Sequence, residues 1–152
     1  KSYTDVDIAA MKAANHILLV TQLDLPCLRN VVRLMMSLEE EEGLKEKVKI
    51  VVNRAGLDSG QISLKKAQET IGGEIFWQIP NDYRVMSEMR NNGTPLIASA
   101  PKAGVTQSLI AMAQELSSAR DGDDKADAKD GKSGAGKKGG GWFDRLLPTK
   151  KG

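Results

Sequence analysis

The stretch KVKIVVNRAG, residues 47–56, decides the fold class of this chain. Its apolar residues are mostly β-branched, which favours a β-strand over a helix. A second run, HILLVTQ at residues 16–22, is apolar without interruption from Ile17 to Val20, and this predicts a strand covered on both faces. A third, EIFWQIP at residues 74–80, also predicts a strand. We therefore expect these three stretches to form one sheet.

The first helical pattern between these strands covers residues 26–43, PCLRNVVRLMMSLEEEEG. Pro26 suits a first helical turn, and Gly43 suits the end of the helix. The apolar side chains of the pattern form one broad stripe: Leu28, Val31, Val32, Met35, Met36 and Leu38. We expect this stripe to face the core, because a surface helix buries its apolar side.

Four more stretches have helical patterns: residues 3–15, 63–73, 81–93 and 104–119. Thr4 is a predicted N-cap with Asp7 three residues on, and Ser63 is a predicted N-cap of a helix that ends at Gly72 or Gly73. Connections this short between strands require parallel strands with right-handed crossovers. The predicted fold class is therefore α/β, a parallel sheet with flanking helices.

The charge distribution divides the chain near residue 120. Residues 1–120 carry 14 basic and 14 acidic side chains, whereas residues 137–152 carry 5 basic side chains and 1 acidic one. A nucleic-acid-binding core usually has a basic face, so the neutral part argues against nucleic acid as a partner. We interpret residues 1–120 as one globular unit, since this length suffices to bury a hydrophobic core.

Residues 121–141, DGDDKADAKDGKSGAGKKGGG, contain no large apolar side chain. Such a segment cannot offset the entropy lost on ordering, and it predicts a disordered linker. Within it, GKSGAGKK at residues 131–138 has the glycine and lysine spacing of a phosphate-binding loop, but Lys138 stands where that loop needs a hydroxyl. Neither a strand before it nor a helix after it is predicted. We therefore interpret GKSGAGKK as part of a basic linker.

Residues 142–152, WFDRLLPTKKG, predict a short amphipathic basic tail. In a helical projection Trp142, Phe143, Leu146 and Leu147 lie on one side, and lysines flank the segment. This composition is typical of an interfacial helix that binds anionic lipid. Binding to a protein partner and docking onto its own domain are alternatives that the sequence leaves open.

Polar residues follow the predicted strands. Ligands of open parallel sheets bind at the carboxyl ends of the strands, where Asn53 and Arg54 follow the second strand and Pro80 and Asp82 end the third. The Asn53 amide offers a donor and an acceptor side by side, which matches the edge of adenine. The alternative is that Asn53 only ends its strand by bonding to nearby backbone.

Three ordered stretches resemble a known family: ILLVTQLDLPCLRN, IVVNRAG and IFWQIPNDYRVMSEMRNNGTPL. Together they resemble the carboxyl-terminal half of the MinD/ParA family of deviant P-loop ATPases, over about residues 3–116. The branch they resemble most is the CpaE/TadZ type, which positions Tad/Flp pilus-assembly machinery at the membrane or cell pole. The resemblance implies a partial P-loop NTPase fold.

This resemblance implies roles for particular residues. Asn53 would recognise adenine with Arg54 beside it, and Pro80 and Asp82 would lie on the loop that closes over base and ribose. ATP with Mg²⁺ is the implied cofactor of the complete protein, because the family's phosphate-binding loop, its lysines and its Mg²⁺-binding hydroxyl would precede Lys1. The resemblance also implies a homodimer, pilus-assembly or polar-localisation partners, and a membrane-targeting tail.

Two functions follow from these observations. In the first, the chain is the C-terminal part of an ATPase and is inactive alone; in the second, it is a non-catalytic adaptor with an incomplete nucleotide-binding fold.

The sequence has one cysteine and one histidine, Cys27 and His16, which excludes an internal disulfide and a zinc site made by these two. A single cysteine indicates a reducing cytoplasm, and no apolar run reaches the roughly 20 residues of a membrane span. We therefore expect a cytoplasmic protein whose tail contacts the inner membrane peripherally.

Overall fold

A computed structural model describes residues 3–57 and 60–123, with their side chains up to Ser118. Three strands form one parallel sheet in the order β1-β2-β3: β1 (Ile17–Thr21), β2 (Val48–Ala55) and β3 (Ile75–Pro80). In register, Val20 of β1 pairs with Val51 of β2, and Val51 pairs with Trp77 of β3. The predicted α/β class with a parallel sheet is confirmed.

Six α-helices and a short 3₁₀ turn connect and flank the strands in the described residues. They are α1 (Asp5–Ala13), α2 (Leu25–Glu39), the 3₁₀ turn Lys45–Lys47, α3 (Leu64–Ile71), α4 (Tyr83–Asn92), α5 (Leu96–Ser99) and α6 (Gly104–Asp123). Thr4 and Ser63 are N-caps as predicted, and Gly72 ends α3 in the left-handed conformation. These ends follow from local chemistry, since a hydroxyl satisfies free N–H groups and glycine tolerates a positive φ.

The hydrophobic core lies on the face of the sheet that packs against α2 and α3. Its fully packed members are Leu23, Leu28, Val52 and Ala67, each at most 5% exposed. Half-buried side chains pack against them: Ala55, Ile62, Leu64, Ile71 and Ile75. Complete burial of one aliphatic side chain contributes about 1.5–3 kcal/mol. This side of the sheet therefore supplies much of the stability of the compact unit formed by the chain up to Ser117.

Helix α6 is bonded to the sheet at β3, on the face that carries Trp77 and its register partner Val51. The Trp77 Nε1–H group donates to Ser108 Oγ at 3.0 Å, and Ser108 Oγ donates to the Gln78 carbonyl at 3.2 Å. Val51 lies on the face opposite to Val52 because side chains alternate along a strand, and only 1% of it is exposed. Strand β2 is thus covered on both faces.

Strand β1 differs from the prediction. Leu18 and Val20 are 40% and 58% exposed, so the expectation that β1 is covered on both faces is wrong for the described residues. The reason is position: β1 is an edge strand, and α6 is fixed over β3 by the Trp77–Ser108 bond. An unbroken apolar run shows that a strand can be covered, and the neighbouring elements decide whether it is.

Helix α2 also differs from the prediction at two points. Met36 is 62% exposed, so its place in the core-facing stripe is wrong. Leu28, Val31 and Leu38 are the buried residues of the helix, and Met36 lies off the line that they form. The helix ends at Glu39 rather than near Gly43. The four glutamates at residues 39–42 are unfavourable at the negative end of the helix dipole, which is consistent with this earlier end.

The predicted linker and tail lie largely outside the described residues. Helix α6 continues to Asp123, three residues past the predicted boundary at residue 120. The linker from residue 124, the GKSGAGKK stretch at residues 131–138 and the tail at 142–152 remain predictions. Over the part of the chain that is described, every helix is too short or too polar to cross a membrane.

Candidate functional site

A cleft of about 420 Å³ lies at the carboxyl ends of the strands, at the edge where parallel sheets bind ligands. Its size is within the range of small-molecule sites, which is roughly 300–1,000 Å³. Its lining includes all four residues that the sequence predicted for a ligand: Asn53, Arg54, Pro80 and Asp82. Val20, Ile79, Val105 and Leu109 form an apolar part of the wall. The structure therefore brings the predicted residues together.

A β-bulge sets the position of Asn53 and Arg54 at the end of β2. Val52 pairs with Gln78 and Ala55 pairs with Pro80, so two residues of β2 stand opposite one residue of β3. Arg54 has φ +58°, the only positive φ among the described non-glycine residues. A side chain in that conformation is uncommon and must be held by its surroundings.

Asn53 is half-buried, and part of its amide is already bonded. Its Oδ1 accepts a hydrogen bond from the Arg54 N–H at 2.9 Å, as the alternative interpretation of the sequence expected. That bond uses one lone pair of the oxygen. The second lone pair and both Nδ2–H donors have no partner within the described residues, so the amide retains a donor and an acceptor.

The loop after β3 closes one side of the cleft. Asp82 is the N-cap of α4, and its Oδ1 accepts from the Val85 N–H at 3.1 Å. The Asn81 N–H donates to the Ala55 carbonyl at 2.9 Å, which continues the pairing of β2 with β3. Asn81 Oδ1 also accepts from Arg54 Nε at 3.3 Å, so it ties the bulge to this loop. Asp82 thus has a structural role and keeps Oδ2 for another contact.

One face of α4 lines the cleft, and the sequence analysis did not identify it. Tyr83, Met86 and Arg90 lie at spacings of three and four residues, which places them on the same side of a helix. Tyr83 is 70% exposed and Met86 is 39% exposed. This spacing is visible in the sequence, but only the fold shows that this side of α4 faces the cleft.

Gln61 is a second residue that the sequence did not reveal, and it bonds to the segment that carries the cleft residue Arg54. It is half-buried in the loop before α3. Its side chain makes three hydrogen bonds with the backbone that follows the bulge, at Arg54, Gly56 and Leu57. No pattern in the sequence marks it, because its partners are backbone groups whose positions depend on the bulge.

Comparison with known proteins rests on structure, since no protein-family model and no curated protein matches the chain by sequence. A ParA family ATPase from Chlorobium tepidum superposes with a TM-score of 0.68 and 26% identity, covering 76% of this chain and 47% of that one. The septum site-determining protein MinD of Pyrococcus horikoshii, complexed with Mg-ADP, gives a TM-score of 0.61 and 25% identity over 76% and 46% of the two chains.

A third structure, the MinC:MinD cell division complex of Aquifex aeolicus, has a TM-score of 0.64 and 21% identity over 77% of this chain and 48% of that one. The fold of this chain is MinD/ParA-like. The chain spans about half the length of the structures that it matches.

In this MinD/ParA-like fold the cleft suits a flat ligand with a polar edge. Asn53 offers a donor and an acceptor, Pro80 and Ile79 offer apolar surface, and Arg54 and Arg90 bring positive charge. The lining residues include no lysine. Across the described ranges, no group of three His, Cys, Asp or Glu side chains could hold a metal ion. The residues present fit a base, while a phosphate–metal group would need other ligands.

Among the described residues, Cys27 has a shifted pKa and lies outside the cleft lining. A hydrogen bond with the Asp24 carboxylate, together with burial, raises the pKa of the Cys27 thiol above its ordinary value of 9.0. Asp24 also caps α2, where its Oδ1 accepts from the Cys27 N–H at 2.8 Å. Cys27 is therefore a neutral thiol at physiological pH, with no sign of an activated nucleophile.

Proposed function

We propose that this chain is the C-terminal part of a MinD/ParA-like ATPase and that its cleft binds the adenine base and ribose of ATP. The observation that carries the proposal is the meeting of Asn53, Arg54, Pro80 and Asp82 around one cleft at the carboxyl end of a parallel sheet. The similarity to a MinD structure that contains Mg-ADP supports the same ligand class.

Adenine recognition would use the edge of the Asn53 side chain. The free Nδ2–H donor and the remaining lone pair of Oδ1 match an acceptor and a donor that lie side by side on adenine. Pro80 and Ile79 would contact the face of the base, and Asp82 Oδ2 would accept from a ribose hydroxyl. Guanine carries an oxygen where adenine carries an amino group, so the Asn53 edge would discriminate against it.

The phosphates and Mg²⁺ would be held by residues outside this sequence. The cleft lining has no lysine and the described residues form no metal-ligand cluster. The open apolar face of β1, at Leu18 and Val20, supports the same view, because parallel sheets are normally covered on both faces. ATP hydrolysis is therefore proposed for the complete protein, in which more of the MinD/ParA-like fold would cover β1.

We propose a role in Tad/Flp pilus assembly or polar localisation for the complete protein, as a homodimer of the CpaE/TadZ type. The support is the resemblance carried by the three ordered stretches together, of which IFWQIPNDYRVMSEMRNNGTPL includes the loop after β3 and all of α4. The partners would then be pilus-assembly or polar-localisation proteins, and the tail at residues 142–152 would contact the inner membrane or a partner.

Replacing Asn53 tests the proposed cleft. In the full natural chain that contains this sequence, Asn53→Ala removes a bidentate contact with the base, and we expect ATP affinity to fall about tenfold or more. Isothermal titration with Mg-ATP and with Mg-GTP measures the effect, and the ATP preference should fall with the affinity. Asn30→Ala on α2, outside the cleft, is the matched control.

If Asn53→Ala leaves the ATP affinity unchanged, the cleft does not bind the nucleotide. The chain would then be better described as the non-catalytic adaptor, in which the same surface binds a protein. Binding of a partner to a variant that cannot bind ATP would distinguish the two functions directly.

The tail requires its own experiment. Trp142→Ala with Phe143→Ala removes the two aromatic side chains that would enter the interface, so we expect loss of co-flotation with vesicles that contain anionic lipid. Lys150→Ala with Lys151→Ala should weaken flotation less, by about 1 kcal/mol per charge. Flotation that is unaffected by the aromatic replacements would favour a protein contact.

A further inference from the structure

One side chain outside the cleft, that of Gln61, is hydrogen-bonded to the strained bulge at the end of β2 and to the residues after it. Arg54 has φ +58°, and Gly56, two residues later, has φ +82°, so the chain leaves the strand in a conformation that few sequences hold unaided. Its N–H donates to the side chain of its own neighbour, Asn53. Its carbonyl is bound by Gln61, seven residues further along the chain.

The Gln61 amide replaces the backbone partner that the bulged segment lacks. Gln61 Nε2 donates to the Arg54 carbonyl at 2.9 Å, while Oε1 accepts from the Gly56 N–H at 3.1 Å and from the Leu57 N–H at 3.0 Å. A primary amide can make these three bonds at once because it combines a donor with a two-lone-pair acceptor. Glutamate has no donor for the carbonyl, and methionine has neither group.

Gln61 is itself fixed to the core. The next residue, Ile62, donates its backbone N–H to the Leu23 carbonyl at 2.8 Å, and its side chain packs against the buried cluster of Leu23, Leu28, Val52 and Ala67. The side chain of Gln61 therefore connects a rigid anchor with the segment that carries Asn53. Gln61 itself does not line the cleft.

We propose that Gln61 is a positioning residue for base recognition: its amide holds the Arg54 bulge and thereby aims the Asn53 side chain into the cleft. This inference rests on the proposed function, since it assumes that Asn53 contacts the base. Without Gln61, Arg54 relaxes towards negative φ, its N–H turns away from Asn53 Oδ1, and the amide edge loses its orientation.

The test measures nucleobase preference in the full natural chain, with Mg-ATP and Mg-GTP as probes. Gln61→Met keeps the length of the side chain but removes all three bonds, and we expect the ATP-to-GTP affinity ratio to fall about three- to tenfold. Gln107→Met is the matched control, because Gln107 Nε2 also donates to a backbone carbonyl, that of Pro101, at a place outside the cleft lining. The control should leave the ratio unchanged.

A double-mutant cycle separates positioning from general stabilisation. If Gln61 acts through Asn53, Gln61→Met has little further effect on the ratio in an Asn53→Ala background, and the two changes are non-additive. Gln61→Glu provides a second variant that keeps both acceptor bonds but places a carboxylate against the Arg54 carbonyl. Gln61→Glu should also lower the ATP-to-GTP affinity ratio, and it tests the inference if Gln61→Met fails to fold.

The outcomes of these experiments are distinguishable. A lower melting temperature for Gln61→Met and Gln61→Glu with an unchanged ATP-to-GTP ratio means that Gln61 is merely structural, and it overturns the inference. Additive effects of Gln61→Met and Asn53→Ala overturn it as well. If Asn53→Ala itself leaves ATP binding unchanged, the proposed function has failed, and the inference fails with it.

Discussion

Strands β1 and β2 have the same apolar character in the sequence, but they have different surroundings in the fold. Residues 17–20 of β1 read ILLV and residues 50–52 of β2 read IVV. Val51 is 1% exposed, whereas its register partner Val20 is 58% exposed. These two valines occupy the same face of the same sheet, so the difference between them measures what the neighbouring elements contribute.

The two strands have different neighbours. Strand β2 lies between β1 and β3, and Trp77, the register partner of Val51 on β3, is bonded to Ser108 of α6, whereas β1 is an edge strand. An apolar face that is left open on an edge strand is unusual for a parallel sheet, which is normally buried on both sides. Strand β1 therefore has the sequence of an internal strand but the position of an edge strand.

The largest expected effect contrasts the two valines directly. Val51→Asp buries an unpaired carboxylate, and we expect a loss of about 4 kcal/mol or more in the free energy of unfolding, against about 0.5 kcal/mol for Val20→Asp. Urea denaturation of the 152-residue chain measures both. In the full natural chain, Val20→Asp should become severely destabilising if further elements cover β1. Equal losses of unfolding free energy for Val51→Asp and Val20→Asp in the 152-residue chain would contradict the comparison.

A smaller effect is expected where α6 is attached to the sheet. Ser108→Ala leaves the Trp77 Nε1–H without its acceptor and the Gln78 carbonyl without its donor, which should cost about 1–3 kcal/mol. Ser99→Ala is the control, because within the described part of the chain its Oγ bonds only to the carbonyl of Pro95, the N-cap of α5. Thermal unfolding followed by tryptophan fluorescence would report both; a Ser108→Ala protein as stable as the control would mean that apolar contacts alone hold α6.

The smallest expected effect concerns the turn from β1 into α2 and depends on pH. The bond with Asp24 raises the pKa of Cys27, so the folded state keeps this proton more tightly than the unfolded state. Its contribution to stability is complete below pH 9.0 and is lost as the pH rises through the folded value. Asp24→Asn, which preserves the N-cap, should lower that pKa and speed alkylation of the thiol.

Alkylation rates over a pH series check this expectation. Wild type and Asp24→Asn should converge at high pH, where both thiols are ionised. A rate profile that is the same for both proteins at every pH would show that the Asp24 carboxylate does not control Cys27.

Local chemistry explains why much of the fold could be predicted from the sequence. The caps at Thr4 and Ser63 and the stop at Gly72 depend on groups within a few residues, so their patterns are visible along the chain. The polar strand ends were predictable for the same reason: parallel topology places them at one edge, and Asn53 and Asp82 do lie there.

The wrong prediction for Met36 and the residues that the sequence did not reveal depend on how the chain packs and bonds after folding. The place of Met36 in an apolar stripe predicts a core position, but this side chain is exposed on α2. Tyr83 and Arg90 were missed because only the packed position of α4 directs them to the cleft. Gln61 was missed because its partners are backbone groups that a bulge exposes.

The sequence by itself determined the three strands, the helices that connect them and the polar residues at the strand ends, since hydrophobic period, capping and turn chemistry act over short distances. Only the tertiary structure decided which apolar faces are covered, how the bulge turns Arg54, and which side chain holds it. Burial and side-chain-to-backbone bonds depend on elements that meet only after folding, so the sequence alone could not show that Val20 is exposed and Val51 is buried.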